Sequence, residues 1–158
     1  MYVPEIRFCD SADLPALFAL NACSGAPWPE AVIRSDLREG ADVELTYLGA
    51  FSTAVGEELL GYAVLGREER FGLLMALTVH PGFRRLGIGS QLLNSVCECA
   101  LYLGMGRLRL RVRQSNAAAI ALYEGMSFRR EARCPAYYSN GEDAILMSAP
   151  LPLREDRR

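Results

Sequence analysis

The chain has 158 residues, 51% of them hydrophobic and 23% charged, enough for one globular domain with a substantial core. Its formal net charge is −2 and its pI is near 5.5, so neither nucleic acid nor a membrane surface is an expected partner. Any basic function must be local.

Cysteine chemistry adds little. Cys9, Cys23, Cys97, Cys99 and Cys134 contain no C-x-x-C pair, and the single histidine is His80. No ordinary zinc ligand set exists, so no metal is expected, and the thiols read as free and mostly buried in a reducing cytosol. Met1 to Asp13 shows neither a basic start nor a long apolar run. No stretch reaches the ~20 apolar residues of a membrane helix, so a soluble, cytoplasmic protein is expected.

In chain order, Glu5–Cys9 alternates as a short strand, and Asp10-Ser11 can cap a helix over Asp13–Leu20. Pro27-Trp28-Pro29 interrupts the chain before a second helix, Glu30–Glu39, which ends at Gly40. Glu44–Ser52 and Leu59–Glu68 read as a hairpin around Gly56, and Leu73–His80 as a third apolar strand. Leu93, Val96, Cys97, Ala100 and Leu101 then recur at helical spacing up to Gly104. Leu108–Arg113 is a strand, Ser115 or Asn116 caps a helix over Ala117–Glu124, and strands Phe128–Arg133 and Asp143–Ser148 finish the domain. The order is βααβββαβαββ. It implies an α/β domain over residues 1–150 with a mixed, mostly antiparallel sheet and helices on both sides. Residues 151–158 read as a flexible charged tail.

The segment Leu77-Thr78-Val79-His80-Pro81-Gly82-Phe83 leads into Arg84-Arg85-Leu86-Gly87-Ile88-Gly89-Ser90, and a helix begins there. A strand–turn–helix junction aims unpaired amides and the positive end of the helix dipole at one point, which makes an anion site. Gly87 and Gly89 allow close backbone approach, and Arg84 and Arg85 supply charge-assisted bonds to phosphate oxygens. The loop is not a P-loop, because Gly89 is followed by Ser90-Gln91 rather than Lys-Ser/Thr. Nor is it a dinucleotide fingerprint, because position 92 is leucine where a third glycine is needed. A glycine turn bearing two surface arginines without a ligand is the plainer alternative.

Arg84-x-x-Gly87-x-Gly89 resembles the GNAT superfamily signature, Arg/Gln-x-x-Gly-x-Gly/Ala. Arg113 to Tyr123, with Asn116-x-x-Ala119-x-x-Leu122-Tyr123, is similar to the N-terminal protein acetyltransferases, above all the ribosomal-protein-alanine (RimI-type) branch. Pro27-Trp28-Pro29-Glu30, Tyr137-Tyr138 and Glu142-Asp143-Ala144 resemble further segments of that branch. The resemblance implies acetyl-CoA as cosubstrate, lying where two central parallel strands, Leu73–His80 and Leu108–Arg113, splay apart. The pantetheine arm would run along Leu77, Thr78 and Val79, in keeping with the N–H and C=O groups that an open strand edge offers. Arg84, Arg85, Leu86, Gly87, Ile88, Gly89 and Ser90 would hold the pyrophosphate, with Asn116 and Tyr123 as further coenzyme contacts. Glu30, Arg111, Tyr137 and Tyr138 would line the acceptor groove.

Amine acetylation needs a neutral nucleophile, a stabilised oxyanion and a proton for the departing thiolate. The resemblance makes Tyr123 the general acid; the plainer reading is a tyrosine packing its helix face. Asn116 is also a good helix cap. RimI-type enzymes carry a basic glutamate where this chain has Arg111, in Leu110-Arg111-Val112-Arg113. Arginine cannot accept a proton, so the base is unassigned; Glu30, Glu44, His80 or a water relay are substitutes, His80 the least favoured. Arg107, Arg109, Arg111 and Arg113 share one strand face, either an edge-like solvated face paired with acids such as Glu98 or Glu131, or a border of the acceptor cleft. Arg111 could also bind an acceptor carboxylate. A departure at Gly125-Met126-Ser127-Phe128, where the branch has Gly-Phe, puts Gly125 forward for the left-handed turn. The function expected is acetyl transfer to a protein or peptide N-terminus, such as that of a ribosomal protein, by a monomer or homodimer. A small-molecule amine as acceptor, or a coenzyme-binding module without catalysis, are the alternatives.

Overall fold

The computed structural model describes residues 2–41 and 44–154. The last four residues of the expected tail, 155–158, lie outside the described residues. The strands are β1 (Glu5–Phe8), β2 (Thr46–Phe51), β3 (Leu59–Glu68), β4 (Phe71–Val79), β5 (Arg107–Arg113), β6 (Arg129–Cys134) and β7 (Ala144–Pro150). The helices are α1 (Leu14–Ala22), α2 (Glu30–Asp36), α3 (Ile88–Tyr102) and α4 (Ala117–Gly125). Their order is the one the sequence predicts, with short 3-10 turns added at Ser11–Asp13 and Pro81–Phe83.

The strands form one sheet in the order β1-β2-β3-β4-β5-β7-β6. It is mostly antiparallel; β4 and β5 are the parallel pair, in register from Gly72↔Leu108 to Leu74↔Leu110. β5 therefore lies between β4 and β7, a central strand as the resemblance implies and not the edge-like alternative. Alternation reports one apolar and one polar face but says nothing about lateral neighbours.

Contacts divide the chain into two compact units, Met1–Gly66 with Ala76–Val96, and Arg67–Met75 with Cys97–Arg158. In the first, Leu17, Leu20, Ile33, Tyr47, Phe51, Leu59, Tyr62 and Val64 form the core. Each fully buried aliphatic side chain there contributes roughly 1.5–3 kcal/mol. Asn21 is buried, accepts from Trp28 N at 2.8 Å and donates to Trp28 O at 2.8 Å, fixing the Pro27-Trp28-Pro29 bend. Tyr47 donates to Asp36 at 2.6 Å and so anchors the end of α2. That helix stops at Asp36 rather than Glu39, and Gly40 turns left-handed at φ 74°.

In the second unit, Leu108, Leu110 and Val112 of β5 are buried, as are Ala144, Ile145, Met147 and Ala149 of β7. Residues 151–154 remain attached: Leu151 N donates to Gly106 O at 2.9 Å, and Ser127 Oγ to Arg154 O at 3.4 Å. None of the five cysteines is in a disulfide, but only Cys97 is buried and Cys23 is exposed, so the thiols are less buried than composition suggested.

The end of α4 corrects another expectation. Ser127, not Gly125, takes the left-handed conformation, at φ 73°. Phe128 N donates to Tyr123 O at 3.0 Å and Ser127 N to Glu124 O at 3.1 Å, the two bonds of a Schellman cap. Gly125 is the last helical residue, two places too early for that motif. A Cβ in this conformation costs about 1 kcal/mol, so Ser127→Gly is expected to stabilise the fold by roughly 0.5–1 kcal/mol in urea unfolding. A lower midpoint in the variant would show that the Ser127 hydroxyl bond outweighs the strain.

Candidate active site

In the first unit, β4 delivers Leu77, Thr78 and Val79 to the loop. Thr78 is buried, its side chain turned towards the Tyr62 phenol. His80 N donates to Leu60 O at 2.7 Å, while His80 Nδ1 accepts from Gly82 N at 3.0 Å and starts the 3-10 turn. That acceptor is therefore spent on structure.

The chain then twists sharply. Arg85 is left-handed at φ 65° and Gly87 at φ 83°, immediately before α3. Left-handed residues leading into right-handed ones turn successive amides towards one point, the geometry of an anion nest. Glycine adopts this conformation freely at 87, whereas Arg85 carries strain of about 1–2 kcal/mol. The first helical bond runs from Gln91 N to Gly87 O at 3.1 Å, so the amides of Ile88, Gly89 and Ser90 precede the ladder. Ile88, Leu92, Leu93 and Val96 are buried and hold the helix in place, while Arg84, Arg85 and Leu86 are exposed. Arg84 Nε donates to Val79 O at 3.3 Å, tying the start of the loop to the strand end. The donor set of converging amides, a side-chain-free Gly87 and two exposed guanidinium groups fits a diphosphate. Glu30, the first residue of α2, is exposed on this unit.

The second unit carries the remaining side chains. Asn116 Oδ1 accepts from Ala119 N at 3.1 Å and caps α4, leaving its amide nitrogen for other use. Tyr123 is 7% exposed, its ring 5.9 Å from that of Phe128. Burial first, and the nearby Tyr138 phenol second, push its pKa up to about 12. It stays protonated throughout the neutral range and can donate but not accept.

Arg111 does not stand alone. Its guanidinium donates to both oxygens of Glu68, at 2.9 and 3.2 Å, and Arg109 approaches the same carboxylate at 3.5 Å. Arg107 pairs with Ser148 at 2.9 Å and Glu131 at 3.9 Å, Ser148 in turn bonding Glu131, and Arg113 with Glu142 at 3.1 Å. The stripe's acids are thus Glu131, Glu68 and Glu142, rather than Glu98. Hydrogen bonding from Arg111 holds Glu68 below the usual carboxylate range, so it is ionised and a weak base. Glu68, the last residue of β3, is not among the acids that the sequence suggests for this face. The available signal was an arginine pair on one strand without an acid beside it.

Tyr137 and Tyr138 meet edge to face with ring centroids 5.1 Å apart. Arg111 lies 5.6 Å from the Tyr137 ring and Arg113 4.0 Å from the Tyr138 ring. Tyr137 is 53% exposed. The stripe and the tyrosine pair therefore form one aromatic and cationic surface. Among the described residues no group of three or more His, Cys, Asp or Glu could hold a metal, and no helix is long and apolar enough to cross a membrane.

Comparison with known proteins agrees with this geometry. The acetyltransferase (GNAT) family model matches residues 14–128. The ribosomal-protein-alanine N-acetyltransferase of Escherichia coli is 32% identical over 154 residues, covering 94% of this chain and 98% of the relative. An N-alpha-acetyltransferase of Sulfolobus acidocaldarius is 39% identical over 83 residues, covering 52% of this chain and 49% of the relative. The crystal structure of the ribosomal-protein-alanine N-acetyltransferase from Escherichia coli superposes with a TM-score of 0.80, at 29% identity and 99% coverage of both chains.

Proposed function

The chain belongs to the GNAT acetyltransferase family, and from that premise we propose that it transfers acetyl from acetyl-CoA to the N-terminal α-amine of a protein. The observation that carries the reading is the strand-to-helix junction at 84–90, with its left-handed Gly87 and free leading amides. Arg84 to Ser90 hold the diphosphate, and the backbone of Leu77, Thr78 and Val79 receives the pantetheine amides, with Asn116 Nδ2 as a further donor. Acetyl-CoA supplies the activated acyl thioester. The acceptor nitrogen bonds to the acyl carbon as the carbon–sulfur bond breaks, and Tyr123 gives its phenolic proton to the departing sulfur. The amine's own proton leaves to solvent, and the Tyr123 phenolate takes a proton back from solvent, so that the cycle closes with the phenol restored.

No side chain is assigned as base, since Arg111 is ion-paired where the branch has glutamate. This favours an acceptor that arrives neutral. At pH 7.5 an α-amine of pKa about 7.8 is roughly one-third neutral, against ~0.1% for lysine. The similarity to enzymes named for α-amine acetylation points the same way. A ribosomal protein is the acceptor suggested by the Escherichia coli relative, and five cysteines outside any disulfide suit a reducing cytoplasm.

The test uses two peptides, one with a free N-terminus and no lysine, the other N-terminally blocked with one lysine. Thiol release is expected only with the first. Release with the second alone, or only with small amines, would overturn the reading. The same Arg111–Glu68 pair also favours a second reading, a coenzyme-binding module without transfer. It predicts coenzyme binding with no thiol release from any amine.

A further inference from the structure

The polar face of β5 carries charges that do not cancel. Arg107 has Glu131 and Arg113 has Glu142, but Arg109 and Arg111 share the single carboxylate of Glu68. Two cations and one ionised anion leave one positive charge over. Arg111 takes both oxygens of Glu68, so Arg109 is left with a 3.5 Å contact, and its buried Nε has no acceptor. The shortfall is thus localised at Arg109. Phe71 lies 4.2 Å from its guanidinium and holds the group flat, while the half-exposed Tyr137 borders Arg111. The Arg109 and Arg111 side chains are 24% and 23% exposed, so an incoming group can reach their outer nitrogens.

We propose that this cluster reads a carboxylate on the acceptor, and that the enzyme prefers N-termini carrying aspartate or glutamate at the first or second residue. The inference rests on the N-terminal acceptor reading and names its substrate class. Guanidinium groups held flat by aromatic rings and partly dried by burial bind carboxylates in a forked, charge-assisted geometry. A lysine or arginine at the same place meets uncompensated positive charge and is rejected. An acidic acceptor also offsets the repulsion that the cluster exerts on an approaching ammonium.

The experiment compares kcat/KM for matched peptides beginning Asp-Ala and Asn-Ala, and Ala-Glu, Ala-Gln and Ala-Lys. In at least one acid–amide pair the acid is expected to lead by about tenfold, with Ala-Lys slowest and the gap shrinking at high salt. Arg109→Gln is expected to bring the acid-to-amide ratio close to one, and Arg109→Lys to restore part of it. A ratio is read rather than a rate, so loss of folded protein drops out. Equal rates for acid and amide in both pairs, or a ratio that Arg109→Gln leaves unmoved, would overturn the inference while leaving the N-terminal acceptor intact. No turnover with any peptide would overturn both.

Discussion

Replacing Tyr123 by Phe is expected to slow acetyl transfer about a hundredfold, the usual share of a positioned general acid. Burial pushes the phenol up to about 12, so it is protonated at any working pH and can give a proton but not take one up. Phenylalanine fills the same volume and keeps the contact with the Phe128 ring, so α4 and its cap should survive. An interaction used only in the transition state lowers kcat and kcat/KM together and leaves coenzyme affinity within about twofold. Turnover within about threefold of the parent would remove Tyr123 from the mechanism. A fall in coenzyme affinity matching the fall in rate would make it a binding residue instead.

Gly61→Ala is expected to lower stability by about 2 kcal/mol and the melting temperature by roughly 4–8 °C. A Cβ at Gly61 would sit 3.0 Å from Thr78 O, 3.2 Å from the Leu92 side chain and 3.5 Å from Ile88. The first of these is backbone and cannot move without β4, while Leu92 and Ile88 are fully buried at the start of α3. The glycine thus allows β3 to lie close to the strand end and helix start that flank the phosphate loop. The variant should therefore bind acetyl-CoA more weakly as well, by about tenfold if the shift reaches the loop amides. Thermal melting and calorimetry read the two effects separately. An unchanged melting temperature would mean that the neighbours yield more easily than their burial suggests.

The element order was legible because its boundaries carry local chemistry. Asn116 before an apolar run, the turn at Gly40 and the glycine loop ahead of α3 all act within a few residues of themselves. The alternation of Arg107 to Arg113 likewise gave the correct faces of β5, whose apolar residues are buried. What the sequence left hidden is tertiary. Glu68 reaches Arg111 across 43 positions, and no local pattern at the end of β3 announces that partner. Alternation alone left an edge-like place for β5 open, because the flanking strands rather than its own residues decide it; only the resemblance to the family placed it centrally. At the end of α4, Gly125 drew attention because glycine favours left-handed backbone, yet the helix geometry puts that conformation at Ser127. Position within the hydrogen-bond ladder outweighed intrinsic preference.

Isothermal titration of the protein with acetyl-CoA addresses the phosphate loop directly. One saturable site per chain is expected, weakened at least tenfold by Gly87→Val, because a β-branched residue at φ 83° is strained by about 1–2 kcal/mol and crowds the amides. Absence of heat with both coenzyme A and its acetyl ester, or binding that Gly87→Val leaves unaltered, would contradict the assignment of residues 84–90.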